Sequence, residues 1–253
     1  MPFVTLTVDG FVATLALDPP DGLLDRATLE ALAAAAAEVA AATDRIHVLV
    51  VTGAGADFGC GWSAALLAEP AADRYARPPG AAADALAAVP QPTIAALRGR
   101  ACSGGLELAL ACDIRIAAAD ARFALADVAA GRLPLAGGTQ RLPRAVGRAH
   151  ALRLLLTAAE IDAAEALRIG LVSEVVAADA LLPAAHALAG TIASRGPIAA
   201  RFAKEAVYRG SELPLAAGLR AELDLTVILQ TTADRAEGVR AFVEQRAPHF
   251  DGH

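Results

Sequence analysis

Glu107 stands in a run with little use for a charge, Cys102-Ser103-Gly104-Gly105-Leu106-Glu107-Leu108-Ala109-Leu110-Ala111-Cys112. Leu106, Leu108 and Leu110 occupy all sides of a helix there, so no polar face is left for a solvated glutamate. A carboxyl among apolar groups has its pKa raised by desolvation toward values useful for proton transfer near neutral pH. Two glycine-rich turns follow short apolar strands, "VTGAGADFGCG" at 51–61 and "LRGRACSGG" at 97–105, and a third cluster, "GRLPLAGGTQ", spans 131–140. Backbone N–H groups at such turns and at helix starts point outward and stabilise a developing anion. Two converging turns would form an oxyanion hole. Glu107 would lie one helical turn beyond Gly104, on the same face at i, i+3.

Other chemistries fit the same residues less well. A dinucleotide loop of the GxGxxG type has Gly53 and Gly55 but Phe58 where a third glycine is needed, and a reductase loop meets Asp57. A reductase also needs a Tyr-x-x-x-Lys pair, and Tyr75 and Tyr208 are followed by Pro79 and Glu212. "ACSGG" resembles a nucleophile elbow, with Ser103 as nucleophile, Ala101 in the place of the first glycine and His249 available for a triad. No HGGG-type oxyanion segment accompanies it. A serine hydrolase with Ser103 as nucleophile is the alternative from another class.

Positioning these groups takes an α/β core followed by a helical extension, as one large domain or one domain plus a small appendage. The 253 residues suffice to bury a sizeable core. Cys60, Cys102 and Cys112 show no CxxC spacing, which argues against a disulfide framework or zinc site and for a reducing compartment. The net charge of −6 does not suit a nucleic-acid binder. Mean hydropathy is +0.46, yet no stretch reaches the ~18 charge-free apolar residues of a membrane span. The start "MPFVTLTVDG" lacks the pattern of a secretory signal, and a cytoplasmic protein is expected.

Two alternating runs joined at Asp9-Gly10 predict a hairpin, 25–42 an amphipathic helix, and "HVLVVTG" a buried strand. Residues 64–92 are rich in Ala and Pro and predict a loop with one helix before Pro90. Strands are expected at 93–97, in "DIRIAA" and in "ARFAL", with a helix from Gly104 between them. From Gly137 the chain turns helical, broken by a strand in "LVSEVV". Long helices are expected at about 180–194, 197–208 and 214–230, and a short one in "DRAEGVRAFVE".

The segment from Pro92 to Gly147, with "LTAAEIDAAEALRIGLVSEVV" and "TTADRAEGVRAFVEQRAPHF" after it, resembles the crotonase (enoyl-CoA hydratase/isomerase) superfamily over nearly the whole chain. The resemblance implies a crotonase-like spiral of ββα units with two nearly perpendicular sheets in residues 1–195. It also implies a C-terminal helical trimerisation region in 196–253, with trimers that pair into hexamers. The implied substrate is an acyl-CoA thioester, with coenzyme A entering as part of it, and no metal or other cofactor. The implied oxyanion-hole donors are the N–H groups of Trp62 and Gly104, with Ser63, Ala64 and Ala65 bordering the substrate. The first catalytic glutamate of the hydratases matches Glu107. The second matches Asp127, where the family's "PE" step reads "AD" before the Gly131–Pro134 turn. Both carboxylates must touch one water, and Asp is a methylene shorter than Glu. An alternative for Asp127 is a cap on the "DVAAGR" turn. Leu135 stands where hydratases usually have glycine near that water, and Trp62-Ser63 where the family has Ala-Asp. The turn that helps hold CoA reads Gly22-Leu23-Leu24 after Asp21, so the nucleotide end must find its basic partners elsewhere. The activity implied is hydration of a 2-enoyl-CoA. A one-carboxylate isomerase and a silent acyl-CoA binder are the alternatives within the resemblance.

Overall fold

The computed structural model describes residues 3–253. Strands β1 (Val4–Asp9) and β2 (Val12–Leu17) form the expected hairpin, turning at Gly10, whose φ of 54° is left-handed. A short β3 (Leu23–Leu24) leads to α1 (Arg26–Ala41). Helix α1 starts where the Asp25 carboxylate accepts the Thr28 N–H, and it buries Leu29, Leu32, Ala36 and Val39 at helical spacing. Then come β4 (Val48–Gly53) and β5 (Gly61–Trp62). Where one helix was expected between 64 and 92 there are three short ones, α2 (Ala64–Ala68), α3 (Ala71–Ala76) and α4 (Ala81–Ala87). Alanine favours helix wherever it is free to, and Pro70, Pro78 and Pro79 cut the segment into pieces.

The centre of the chain builds β6 (Thr93–Leu97), β7 (Arg100–Cys102), α5 (Gly104–Ala111), β8 (Ile114–Ala118) and β9 (Arg122–Ala124). There follow α6 (Gly138–Val146), α7 (Arg148–Thr157), β10 (Ile161–Asp162), α8 (Ala163–Arg168), β11 (Glu174–Val176) and α9 (Leu181–Ala193). The chain closes with α10 (Pro197–Ser211), α11 (Leu215–Leu229) and α12 (Ala233–Glu244), so residues beyond 196 are helical apart from turns and the tail.

One sheet runs β1-β2-β4-β6-β8-β11, parallel from β2 onward. Its central strands are buried on both faces, which is why β4 reads as an unbroken apolar run rather than an alternation. Leu49 and Val51 join the main core under α1, α4 and α5, while Val48 and Val50 meet Leu181, Ala185 and Ala189 of α9. A second sheet runs β10-β9-β7. Strand β7 was hidden in what reads as a glycine turn, yet it sets the geometry that matters. It pairs parallel with β9, Cys102 opposite Ala124, and the Ser103 N–H continues the ladder to the Ala124 carbonyl at 2.8 Å. The segments leaving the two strands, Ser103–Gly104 and Leu125–Asp127, therefore emerge side by side at the carboxyl ends of adjacent parallel strands, a common place for a site in α/β folds.

Candidate active site

Glycines bring the first turn onto the start of α5. A Cβ at Gly105 would stand 2.3 Å from the carbonyl oxygen of Gly59, a contact no real Cβ makes. With glycine at both positions the loop lies flat on the helix start, and Cys102 donates its N–H to the Gly59 carbonyl at 2.9 Å. Gly61 and Trp62 of β5 thereby reach Ser103 and Gly104. The indole of Trp62 packs on Gly104, where a Cβ would meet its ring atoms at 2.7–2.8 Å. Trp62 is buried and its Nε1 has no hydrogen-bond partner among the described residues. Gly104 opens α5, so its N–H has no partner within the helix.

Ser103 holds φ 43° and ψ −115°, a strained conformation for a residue with a side chain. The hydrolase triad is not assembled around it. Ser103 is buried and bonds to no histidine among the described residues, whereas His249 is 81% exposed and paired with Asp251 at 3.1 Å.

All of α5 is buried, and Glu107 with it. Its carboxylate does not go unpartnered. Oε1 accepts the N–H groups of Ala136 and Gly138, each at 2.7 Å, and Oε2 accepts that of Leu135 at 3.3 Å. Gly137, at φ 90°, is the left-handed residue that lets its two neighbours aim at one oxygen. Burial pushes the Glu107 carboxyl up to about 7; the three donors hold it lower than burial alone would, and the charge of Asp127 adds to the rise.

Asp127 is equally buried, and neither of its oxygens meets a hydrogen-bond donor among the described residues. The nearest cation is Arg132, with Nη2 3.6 Å from Oδ1. The 3-10 turn Val128–Ala130 does begin at Asp127, but the side chain makes no capping bond. The backbone carbonyl alone serves the turn, accepting from Ala130 at 3.0 Å and Arg132 at 2.9 Å. The carboxylate is left for something else.

Ser63 caps α2 by accepting the Leu66 N–H at 3.2 Å, which commits its hydroxyl to the helix. Ala64 and Ala65 are exposed. Leu135 is half-buried against the main core and acts on Glu107 through its backbone. Sequence reasoning missed Ala136, Gly138 and Arg132. The third glycine cluster pointed to the first two, since paired glycines before a helix are where N–H groups converge. Nothing in the sequence pointed to Arg132.

The sequence pattern of a family described as enoyl-CoA hydratase/isomerase matches residues 11–253. A probable enoyl-CoA hydratase of Mycobacterium tuberculosis is 42% identical over 255 residues, covering 99% of each chain. The (E)-benzylidenesuccinyl-CoA hydratase of Thauera aromatica is 40% identical over 260 residues, covering 98% of this chain and 99% of that one. The crystal structure of an enoyl-CoA hydratase from Bacillus anthracis superposes with a TM-score of 0.93 at 35% identity, over 99% of this chain and all of the other. The fold as a whole thus has a close counterpart in a solved enoyl-CoA hydratase. The chain belongs to the enoyl-CoA hydratase/isomerase family.

Proposed function

We propose that this protein is a hydro-lyase that adds water across the 2,3 double bond of a 2-enoyl-CoA thioester. The observation that carries this is the pair of fully buried carboxylates, Glu107 held by three backbone donors and Asp127 with no hydrogen bond to either oxygen among the described residues. In this reading the two share the attacking water. Its oxygen bonds to Cβ and one of its protons passes to a carboxylate. The Cα–Cβ electron pair moves into the thioester carbonyl, and the resulting enolate oxygen is held by the N–H groups of Trp62 and Gly104. Cα then takes a proton from the protonated carboxyl, so that one water has been added. With its pKa near 7, Glu107 exchanges a proton readily at neutral pH. The addition is redox-neutral and consumes only the water and the enoyl thioester, with coenzyme A entering as part of the substrate. The indole of Trp62 and the side chain of Leu135 shape the acyl pocket.

The C-terminal helices support an assembly of identical chains. On α11, Leu215, Leu219, Leu223 and Val227 repeat every fourth residue and all are exposed, a stripe that a homotrimer or a hexamer of two trimers would cover. No helix of the described residues is long and apolar enough to cross a membrane. That fits a cytoplasmic enzyme.

An activity screen over enoyl-CoA esters of different length and branching, read by loss of the conjugated thioester absorbance, tests the assignment. Hydration of at least one ester is expected, with large losses in both Glu107→Gln and Asp127→Asn. Turnover that survives one of the two substitutions points to a one-carboxylate isomerase. Binding of CoA esters with no turnover at all would leave only an acyl-CoA binder.

A further inference from the structure

The carboxylate of Asp127 has little to hold it. Among the described residues it has no hydrogen bond, and its one ion-pair contact is Arg132. The chain path makes that contact specific. After the 3-10 turn Val128–Ala130, Gly131 takes a left-handed conformation, φ 67° and ψ 24°, and reverses the chain. Arg132 then returns its N–H to the Asp127 carbonyl at 2.9 Å, and its guanidinium Nη2 comes to 3.6 Å from Oδ1. The Nε of Arg132 is itself buried without a partner, so the guanidinium has donors to spare. Helix α7 packs on this turn, but its Arg153 is tied to Glu165 at 2.5 Å, while Arg148 is exposed and His150 half-buried. Glu107 on α5 is the other acid near Asp127.

The geometry points to Arg132 as a positioning residue, whose guanidinium fixes the Asp127 carboxylate toward the water it shares with Glu107. The inference rests on the hydratase reading. An aspartate is one methylene shorter than a glutamate, and Asp127 has no backbone donors of the kind that aim Glu107. A cation at one of its oxygens restricts χ2 and leaves the other oxygen toward the substrate. A carboxylate displaced by about 1 Å loses on the order of a hundredfold in rate.

The test is a set of variants, Arg132→Gln and Arg132→Lys, each made in the wild type and in Asp127→Glu, with kcat and KM measured on the best enoyl-CoA. Arg132→Gln is expected to lower kcat roughly 10- to 100-fold while KM changes by less than about threefold. Arg132→Lys should regain most of that kcat. In the Asp127→Glu background, where the longer side chain reaches further, removal of Arg132 should cost less than about threefold. A merely structural Arg132 would instead show the same loss in both backgrounds, with no rescue by lysine. That result, or a kcat for Arg132→Gln within about twofold of wild type, overturns the inference. If the wild type hydrates no enoyl-CoA, the hydratase reading fails by itself, and the crystal structure of Arg132→Gln decides the question about Arg132. An Asp127 carboxylate that leaves its place or splits into several conformers supports positioning. One that keeps its wild-type rotamer refutes it.

Discussion

The two acids of the site are held in opposite ways. Glu107 sits inside a helix whose every residue is buried, and three backbone N–H groups from the 135–138 loop fix its oxygens. Asp127 stands at the start of a 3-10 turn, its carboxylate without a hydrogen bond among the described residues and 3.6 Å from the guanidinium of Arg132. Backbone donors cannot rotate away, so the position of Glu107 is a property of the fold. The position of Asp127 is a property of side-chain choices at 127 and 132. A site built this way has one fixed acid and one adjustable acid, and substitutions should act very differently on the two.

The largest effect is expected at the fixed acid. Glu107→Gln keeps the shape and removes the proton exchange, and kcat should fall by roughly 10³-fold or more, since general acid–base groups contribute on the order of 10²–10⁴. Steady-state kinetics at saturating substrate measure this. An activity within tenfold of wild type would place the proton chemistry elsewhere.

The same substitution should show the cost of burying Glu107. A carboxyl whose pKa is raised from 4.5 to about 7 on folding binds its proton more tightly in the folded chain than in the unfolded one. Between those values the folded chain carries more protons, so its stability falls as pH rises through this window and levels off above 7. The full span is on the order of 3 kcal/mol. Glu107→Gln removes the slope. Its unfolding free energy, from denaturant titration at pH 5, 6, 7 and 8, should gain on that of the wild type at each step up to about pH 7. A constant difference across the series would mean that Glu107 titrates at an ordinary value.

How much of this could be read from the chain follows the same division. Glu107 was conspicuous because a charge among leucines has no benign explanation, and β4 and β6 announced themselves as apolar runs between glycine and proline. Strand β7 was not visible. It is three residues long, and Arg100, Ala101 and Cys102 have no strand pattern until β9 lies beside them. The helices α2 and α3 escaped because alanine-rich segments lack an apolar stripe to count. The donors to Glu107 are backbone groups, and a sequence names side chains only. Asp127 stands out in the sequence only through family resemblance. Its lack of any capping bond is a fact of three dimensions. Arg132 needed the left-handed turn at Gly131 before its spacing from Asp127 meant anything.

A packing substitution near each acid carries the comparison further. At the fixed acid, Gly105→Ala drives a methyl into the Gly59 carbonyl, where a Cβ would stand at 2.3 Å. Backbone on both sides has to shift, at a cost of about 2–3 kcal/mol. Because Gly104 and the β5 loop move with it, kcat should fall along with the melting temperature. A variant that melts and turns over like wild type would show that the loop and helix are not locked together.

The smallest expected effect lies at the adjustable acid and is purely conformational. A Cβ at Gly131 meets no atom within 4 Å, so Gly131→Ala introduces no clash. What it introduces is a side chain at φ 67°, worth about 1–2 kcal/mol for alanine in the left-handed region. Asparagine tolerates that region better, so Gly131→Asn should recover part of the loss. The turn is also what returns Arg132 to Asp127. If the alanine variant relieves its strain by opening the turn, kcat drops while KM stays; if it bears the strain, only the melting temperature drops. In either case Gly131→Asn must lie between Gly131→Ala and the wild type on the scale that moved. An asparagine variant as impaired as the alanine one would show that the left-handed turn is not what holds the second acid in place.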